Sequence, residues 1–114
     1  MKITLLSILL LTFITNVQAA NVSTPSGKVK SVRTYQVGTD GLRAQITLSG
    51  ATHDCGTQPT ILYFDSHIIP TDVVKAVLSL AFGAMAADHS VIATYDCSLG
   101  SGGYGWGYAL SVTK

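Results

Sequence analysis

Apolar and polar residues follow two periods along this chain, and the helical one is confined to a single stretch. From Pro70 to Asp88, PTDVVKAVLSLAFGAMAAD, apolar side chains recur at helical spacing almost all round the cylinder. Val73, Val77, Leu80 and Ala84 fall on one side, Val74, Leu78 and Met85 continue round it, and Lys75 and Ser79 leave a narrow polar stripe. The pattern predicts one helix that needs neighbours on more than one side. The first row is expected to plug a core, and Val74, Leu78 and Met85 are expected to meet neighbouring subunits. Pro70 bars helical geometry at the residue before it, Thr71 is placed to be the N-cap, and Asp72 complements the positive end of the helix dipole. Gly83, inside the pattern, costs about 1 kcal/mol relative to Ala and suggests close packing there.

The other period is two, the mark of half-buried strands. Gly27 to Val37 is rich in Val, Thr and Tyr, but Val29, Val32 and Tyr35 break strict alternation, which predicts a strand with a bulge. After the turn Gly38-Thr39-Asp40-Gly41, Leu42, Ala44, Ile46 and Leu48 alternate with polar residues up to Ser49. Thr60 to Asp65, TILYFD, is a continuous apolar run suited to a strand covered on both faces. Beyond the helix, Val91 to Cys97 and Tyr104 to Thr113 read as strands, joined by a flexible loop from Ser98 to Gly103. On strict alternation the last strand carries Tyr104, Trp106, Tyr108, Leu110 and Val112 on one face and small residues on the other. The bare face invites close approach by the helix.

The first residues change the picture of where the chain works. Met1-Lys2, an apolar run from Ile3 to Thr15 and the small residues of Val17-Gln18-Ala19 have the order of a secretory signal peptide. Residues 1–19 are expected to be removed, with cleavage after Ala19 or Ala20, leaving a protein without a membrane span in a secreted or periplasmic location. Residues 20–26 are expected to be a disordered lead and 27–114 a single domain. Without Lys2, the remaining cations and the six Asp balance to zero, and the chain has no Glu. Net charge therefore gives no argument for a nucleic-acid partner.

Cys55 and Cys97 follow the leader in a chain bound for an oxidising compartment, so a Cys55–Cys97 disulfide is expected. His53 lies near, but two cysteines without a C-x-x-C pair give poor zinc spacing, and no metal or other cofactor is expected.

Strand, strand, strand, helix, strand, strand is the order of an OB-fold, so the expected architecture is mainly β with one helix, an α+β chain forming a five-stranded OB-like barrel. With the leader, the single bridge and an alanine-rich helix that runs through AADHSVIATYDC into the second cysteine, the chain resembles the B subunits of pentameric bacterial toxins. The nearest likeness is to small secreted proteins of the subtilase cytotoxin B subunit type. That resemblance covers Gly27 to Lys114 as a pattern of elements. It implies a non-enzymatic, self-associating module that binds a cell-surface glycan, with helices lining the middle of a ring of subunits. No sugar-binding residue of the family is matched to a position here.

Tyr104, Trp106 and Tyr108 are the ligand-binding candidates, because aromatic faces stack on sugars while phenol and indole protons donate hydrogen bonds. The same residues equally suit a core or a subunit interface, since their face continues into Leu110 and Val112. Gly100, Gly102 and Gly105 spell G-x-G-x-x-G, but a strand rather than a helix follows, which removes the reason a phosphate would bind there. Asp65-Ser66-His67 holds the residue types of a hydrolytic triad, yet in an extended segment neighbours point to opposite faces. No catalytic residue is assigned. A small secreted hydrolase, and a structural or inhibitory protein with a protein partner, are the alternatives to a glycan-binding module.

Overall fold

The computed structural model describes residues 22–99 and 102–113, so the expected signal peptide lies outside the described residues. The fold is mainly β with one helix. Its strands are β1 (Val22–Ser23), β2 (Gly27–Val37), β3 (Gly41–Ser49), β4 (Ile61–Asp65), β5 (Ser90–Asp96) and β6 (Gly105–Thr113), and the helix α1 (Thr71–Ala87) lies between β4 and β5. They form a six-stranded sheet in the order β1-β5-β2-β3-β4-β6, and a further pairing of β5 with β6 closes five of the strands into a ring. All pairings are antiparallel except β4 with β6, which run parallel. Among the described residues no helix is long and apolar enough to cross a membrane.

The start of the chain departs from the sequence expectation. Val22 and Ser23 pair with Tyr95 and Thr94, so this part of the expected disordered lead is a strand. Thr24 fixes it: its N–H donates to Ala93 O at 2.8 Å and its buried hydroxyl accepts from Ala93 N at 3.1 Å. Composition hides this because the partner edge of β5 lies far along the chain.

Two bulges set which side chains face the inside of the ring. In β2 the register shifts between Val29 and Ser31, so that Val29 opposite Leu48 and Val32 opposite Ile46 share the inner face. In β6, Thr94 pairs with Ala109 but Tyr95 with Gly107, which leaves Tyr108 as the extra residue. The single aromatic face expected for the last strand is thereby split. Gly105, Gly107 and Leu110 point inward, and Trp106 lies on the outer face. The bare positions do admit close neighbours, but these are rings rather than the helix. A Cβ on Gly107 would stand 2.4 Å from Phe64 Cζ, and one on Gly105 2.6 Å from His53 Cδ2.

The core is built from Ala44, Ile46 and Leu48 of β3, Leu62 and Phe64 of β4, and Val91 and Ala93 of β5, closed by the helix. Pro70, not Thr71, is the N-cap; it offers no side-chain hydrogen bond, and its carbonyl accepts from Val73 N at 2.9 Å. The helix buries Val74, Val77, Ala81 and Ala84, a row turned from the expected plug. Val74 is 0 % exposed in the chain's own core and is unavailable to a neighbouring subunit, whereas Leu80, expected inside, is exposed. The reason is packing: the helix lies against β2, β3 and β6, and a helix apolar all round carries no internal mark of which side meets them. Gly83 is exposed, and a methyl group on its Cα would find nothing within 4 Å, so close packing does not explain it. Asp88 ends the helix in the left-handed region (φ 56°), and His89 N donates to Ala84 O at 2.8 Å.

Cys55 and Cys97 form the disulfide, with Cα atoms 5.2 Å apart. Such a bridge fits an oxidising, extracellular or periplasmic environment.

Candidate functional site

Strict alternation in β3 and β4 turns Arg43, Gln45 and Tyr63 to the outside of the ring while Ala44, Ile46, Leu62 and Phe64 point in. The register then lines them up. Gln45 pairs with Tyr63, and Tyr63 with Trp106 across the parallel junction of β4 and β6. Tyr104, at the mouth of β6, leans over the same place. The rings of Tyr63 and Tyr104 lie edge to face with centroids 5.4 Å apart, Tyr63 and Trp106 are 5.7 Å apart, and Tyr104 and Trp106 are 6.3 Å apart at 85°.

Arg43 crosses this cluster. Its guanidinium carbon sits 5.3 Å from the Trp106 ring centroid and 5.7 Å from that of Tyr63, within cation–π range. Its Nε and Nη2 each lie 2.7 Å from Asp65 Oδ2. Asp65, only 3 % exposed, also accepts at Oδ1 from the His67 backbone N–H at 2.8 Å and from His67 Nδ1 at 3.0 Å. Burial pushes the Asp65 carboxyl up, but those hydrogen bonds and the Arg43 charge outweigh it and hold the group below the ordinary 3.8.

Polar groups border the rings. Tyr35 OH donates to Gln45 Oε1 at 2.7 Å, and Tyr63 OH to Gln58 Oε1 at 3.0 Å. Burial is the main cause raising the Tyr63 phenol above 10, with the neighbouring Tyr35 and Tyr104 phenols adding to it and Arg43 opposing. Trp106 is 7 % exposed, and its Nε1 has no hydrogen-bond partner among the described residues; the same holds for the hydroxyl of Tyr108.

The three aromatic candidates are therefore not one surface. Tyr104 and Trp106 come together outside the ring, and Tyr108 sits at the bulge, packed against the core. The sequence does not single out Arg43, Tyr63 or the two glutamines as site residues, and it offers Asp65 only within the Asp65-Ser66-His67 tripeptide. The alternation of β3 carries a signal for Arg43 and Gln45, but the pairing of β4 with β6, which assembles the group, has no local signature.

The Asp65-Ser66-His67 segment leaves β4 in a turn rather than running on extended, and no triad forms in it. Asp65 and His67 do bond each other, while Ser66 Oγ accepts from Leu42 N at 2.9 Å and takes no part. His53 is buried, although it lies in the loop before β4. Its Nδ1 accepts from Cys55 N–H at 3.1 Å and its Nε2 donates to Ile61 O at 2.8 Å, so it ties the 51–60 loop beneath Gly105. Beside it, Tyr95 OH donates to Asp54 Oδ1 at 2.7 Å. Asp54, Cys55 and Cys97 are grouped closely enough to suggest a metal, but both sulfurs are spent in the disulfide. Of the G-x-G-x-x-G spacing, Gly100 lies outside the described residues; Gly102 O accepts from Thr57 Oγ1 and Gly103 O from Thr57 N, so the loop end is tied to its neighbour.

No protein-family model, curated protein or solved structure matches the chain.

Proposed function

We propose that this chain is a secreted, non-enzymatic binding module on an OB-like barrel, and that its outer aromatic face receives a glycan. The barrel reading is supported by the closed ring, in which the first long strand meets both the second and the fourth, and the third meets the fifth in parallel. The observation that carries the ligand is the group on the outside of the sheet in which the half-buried rings of Tyr63 and Tyr104 offer stacking, backed by the buried Trp106, while an arginine and two glutamine amides offer hydrogen bonds. A pyranose matches both, having an apolar C–H face and a rim of hydroxyls.

Self-association is supported by the free side of α1, where Phe82 and Met85 are exposed, Phe82 by 50 %. With Val74 buried, Met85 and half-buried Leu78 remain the interface candidates on the helix.

Trp106 is the only tryptophan in the chain, so its fluorescence reports on the site directly. A glycan array is expected to return a saccharide that changes this fluorescence saturably. Tyr104→Ala or Tyr63→Ala should weaken the response about tenfold, the loss of one aromatic contact worth about 1.4 kcal/mol. A blank array with flat fluorescence would remove the glycan reading.

A further inference from the structure

β2 is 11 residues long, but only Gly27 and Lys28 pair with β5. From Ser31 to Val37 it pairs on one side alone, with Thr47 through Gly41 of β3. The cause is local: β5 begins at Ser90, and the chain before it is the end of α1, so β2 runs on past its partner. Among the described residues nothing is bonded to the other side of this stretch. Its outward N–H and C=O groups are left to water over about 23 Å, at roughly 3.3 Å per residue.

Strand edges in proteins that stay apart are guarded by lysines, prolines or bulges. Here the guards precede the free stretch. Lys28 is drawn to the end of the helix, where it meets the Asp88 carbonyl and lies 3.5 Å from its carboxylate, and Lys30 occupies the bulge. Within SVRTYQV the one charge is Arg33, whose guanidinium carbon lies 5.9 Å from the Tyr35 ring centroid. Val, Thr and Tyr are strand formers.

We propose that the Ser31–Val37 edge is an assembly site and that its occupant is the same edge of a second copy, antiparallel about Thr34. Two identical strands paired this way have a two-fold axis on one residue. An axis at Arg33 sets two guanidinium groups opposite each other, which is repulsive. An axis at Tyr35 runs Ser31 and Val32 off against the turn at Gly38 and Thr39. An axis at Thr34 pairs the whole stretch: Thr34 with itself, Arg33 with Tyr35 twice, Val32 with Gln36 and Ser31 with Val37. No like charges meet, and each Arg33 exchanges its own Tyr35 for its partner's. The contact covers both edges at once and stops at two copies. It uses a surface separate from the exposed side of α1. Because the axis stands perpendicular to the sheet, the outer faces of both copies lie on the same side. If the aromatic face takes a glycan, as proposed above, the pair is bivalent.

Sedimentation velocity of the purified protein is expected to show an assembly that Thr34→Lys halves in mass with unchanged circular dichroism, since Thr34 is exposed and any contact through α1 is untouched. Thr34→Cys is expected to give a disulfide-linked dimer on mild oxidation, because facing Cα atoms lie about 4.5–5.5 Å apart. Gln36→Cys faces Val32 of the other copy and should stay unlinked. A monomer at tens of micromolar, an assembly whose mass Thr34→Lys leaves unchanged, or linking through Gln36→Cys in place of Thr34→Cys would overturn the proposal. The tryptophan response of Thr34→Lys to a saccharide is independent of these outcomes, so failure of the edge and failure of the glycan reading are distinguishable.

Discussion

Asp65 holds three parts of the outer face together. Its two oxygens accept from Arg43 on one strand and from the backbone and ring of His67 in the turn that leads to the helix. A carboxyl whose folded pKa is depressed contributes stability that is present above its unfolded value and is lost as the pH falls through the folded one. For Asp65 the ordinary value is 3.8, so the loss belongs below about pH 4. Asp65→Asn should therefore cost on the order of 2 kcal/mol at neutral pH, the worth of a charge-assisted hydrogen bond, and much less at pH near 2–3. Urea melts of both proteins across that range measure it; parallel profiles would show that Asp65 is not the group responsible. None of this is visible in the tripeptide Asp65-Ser66-His67, because the residues bond through a turn whose shape depends on the strand before and the helix after.

At the scale of elements, local pattern places the helix and the five long strands within a residue or two of their ends. It misjudges the faces of β6 and α1. A bulge adds one residue and reverses every side chain beyond it, and its position in β6 is set by how β5 pairs, between Thr94 and Tyr95. The bulge in β2 is legible because Val29 and Val32 break an otherwise clear alternation. In α1 the moment of the apolar pattern is weak by nature, since nearly every side is apolar. Two glycines make opposite predictions from this. Gly83→Ala, on the exposed side of α1 with open space around it, should raise stability by about 1 kcal/mol. Gly107→Ala drives a methyl into the Phe64 ring and should cost about 1–3 kcal/mol. Thermal or urea denaturation of the pair tests both, and a tolerated Gly107→Ala would mean that Phe64 has room to move.

The whole molecule rests on long-range closures. β4 and β6 meet in parallel across the helix and β5, and the Cys55–Cys97 bridge spans 42 positions and encloses β4, α1 and β5. Opening that loop in the unfolded chain should cost about 4 kcal/mol on the chain-entropy account. Cys55→Ser with Cys97→Ser, compared with the parent by urea denaturation, should show most of that loss, and a difference well under 1 kcal/mol would place the stability in the ring alone.

The number and order of the elements, the one pairing open to two cysteines and the inward rows of β3 and β5 follow from sequence by itself, because each depends on residue type and on spacing within one segment. The aromatic site, the free edge of β2 and the side of α1 that faces the core were decided only in the tertiary structure. Each of those depends on which strand lies beside which, and pairing between distant segments is an energy of the closed ring, with no counterpart in any single stretch of the chain.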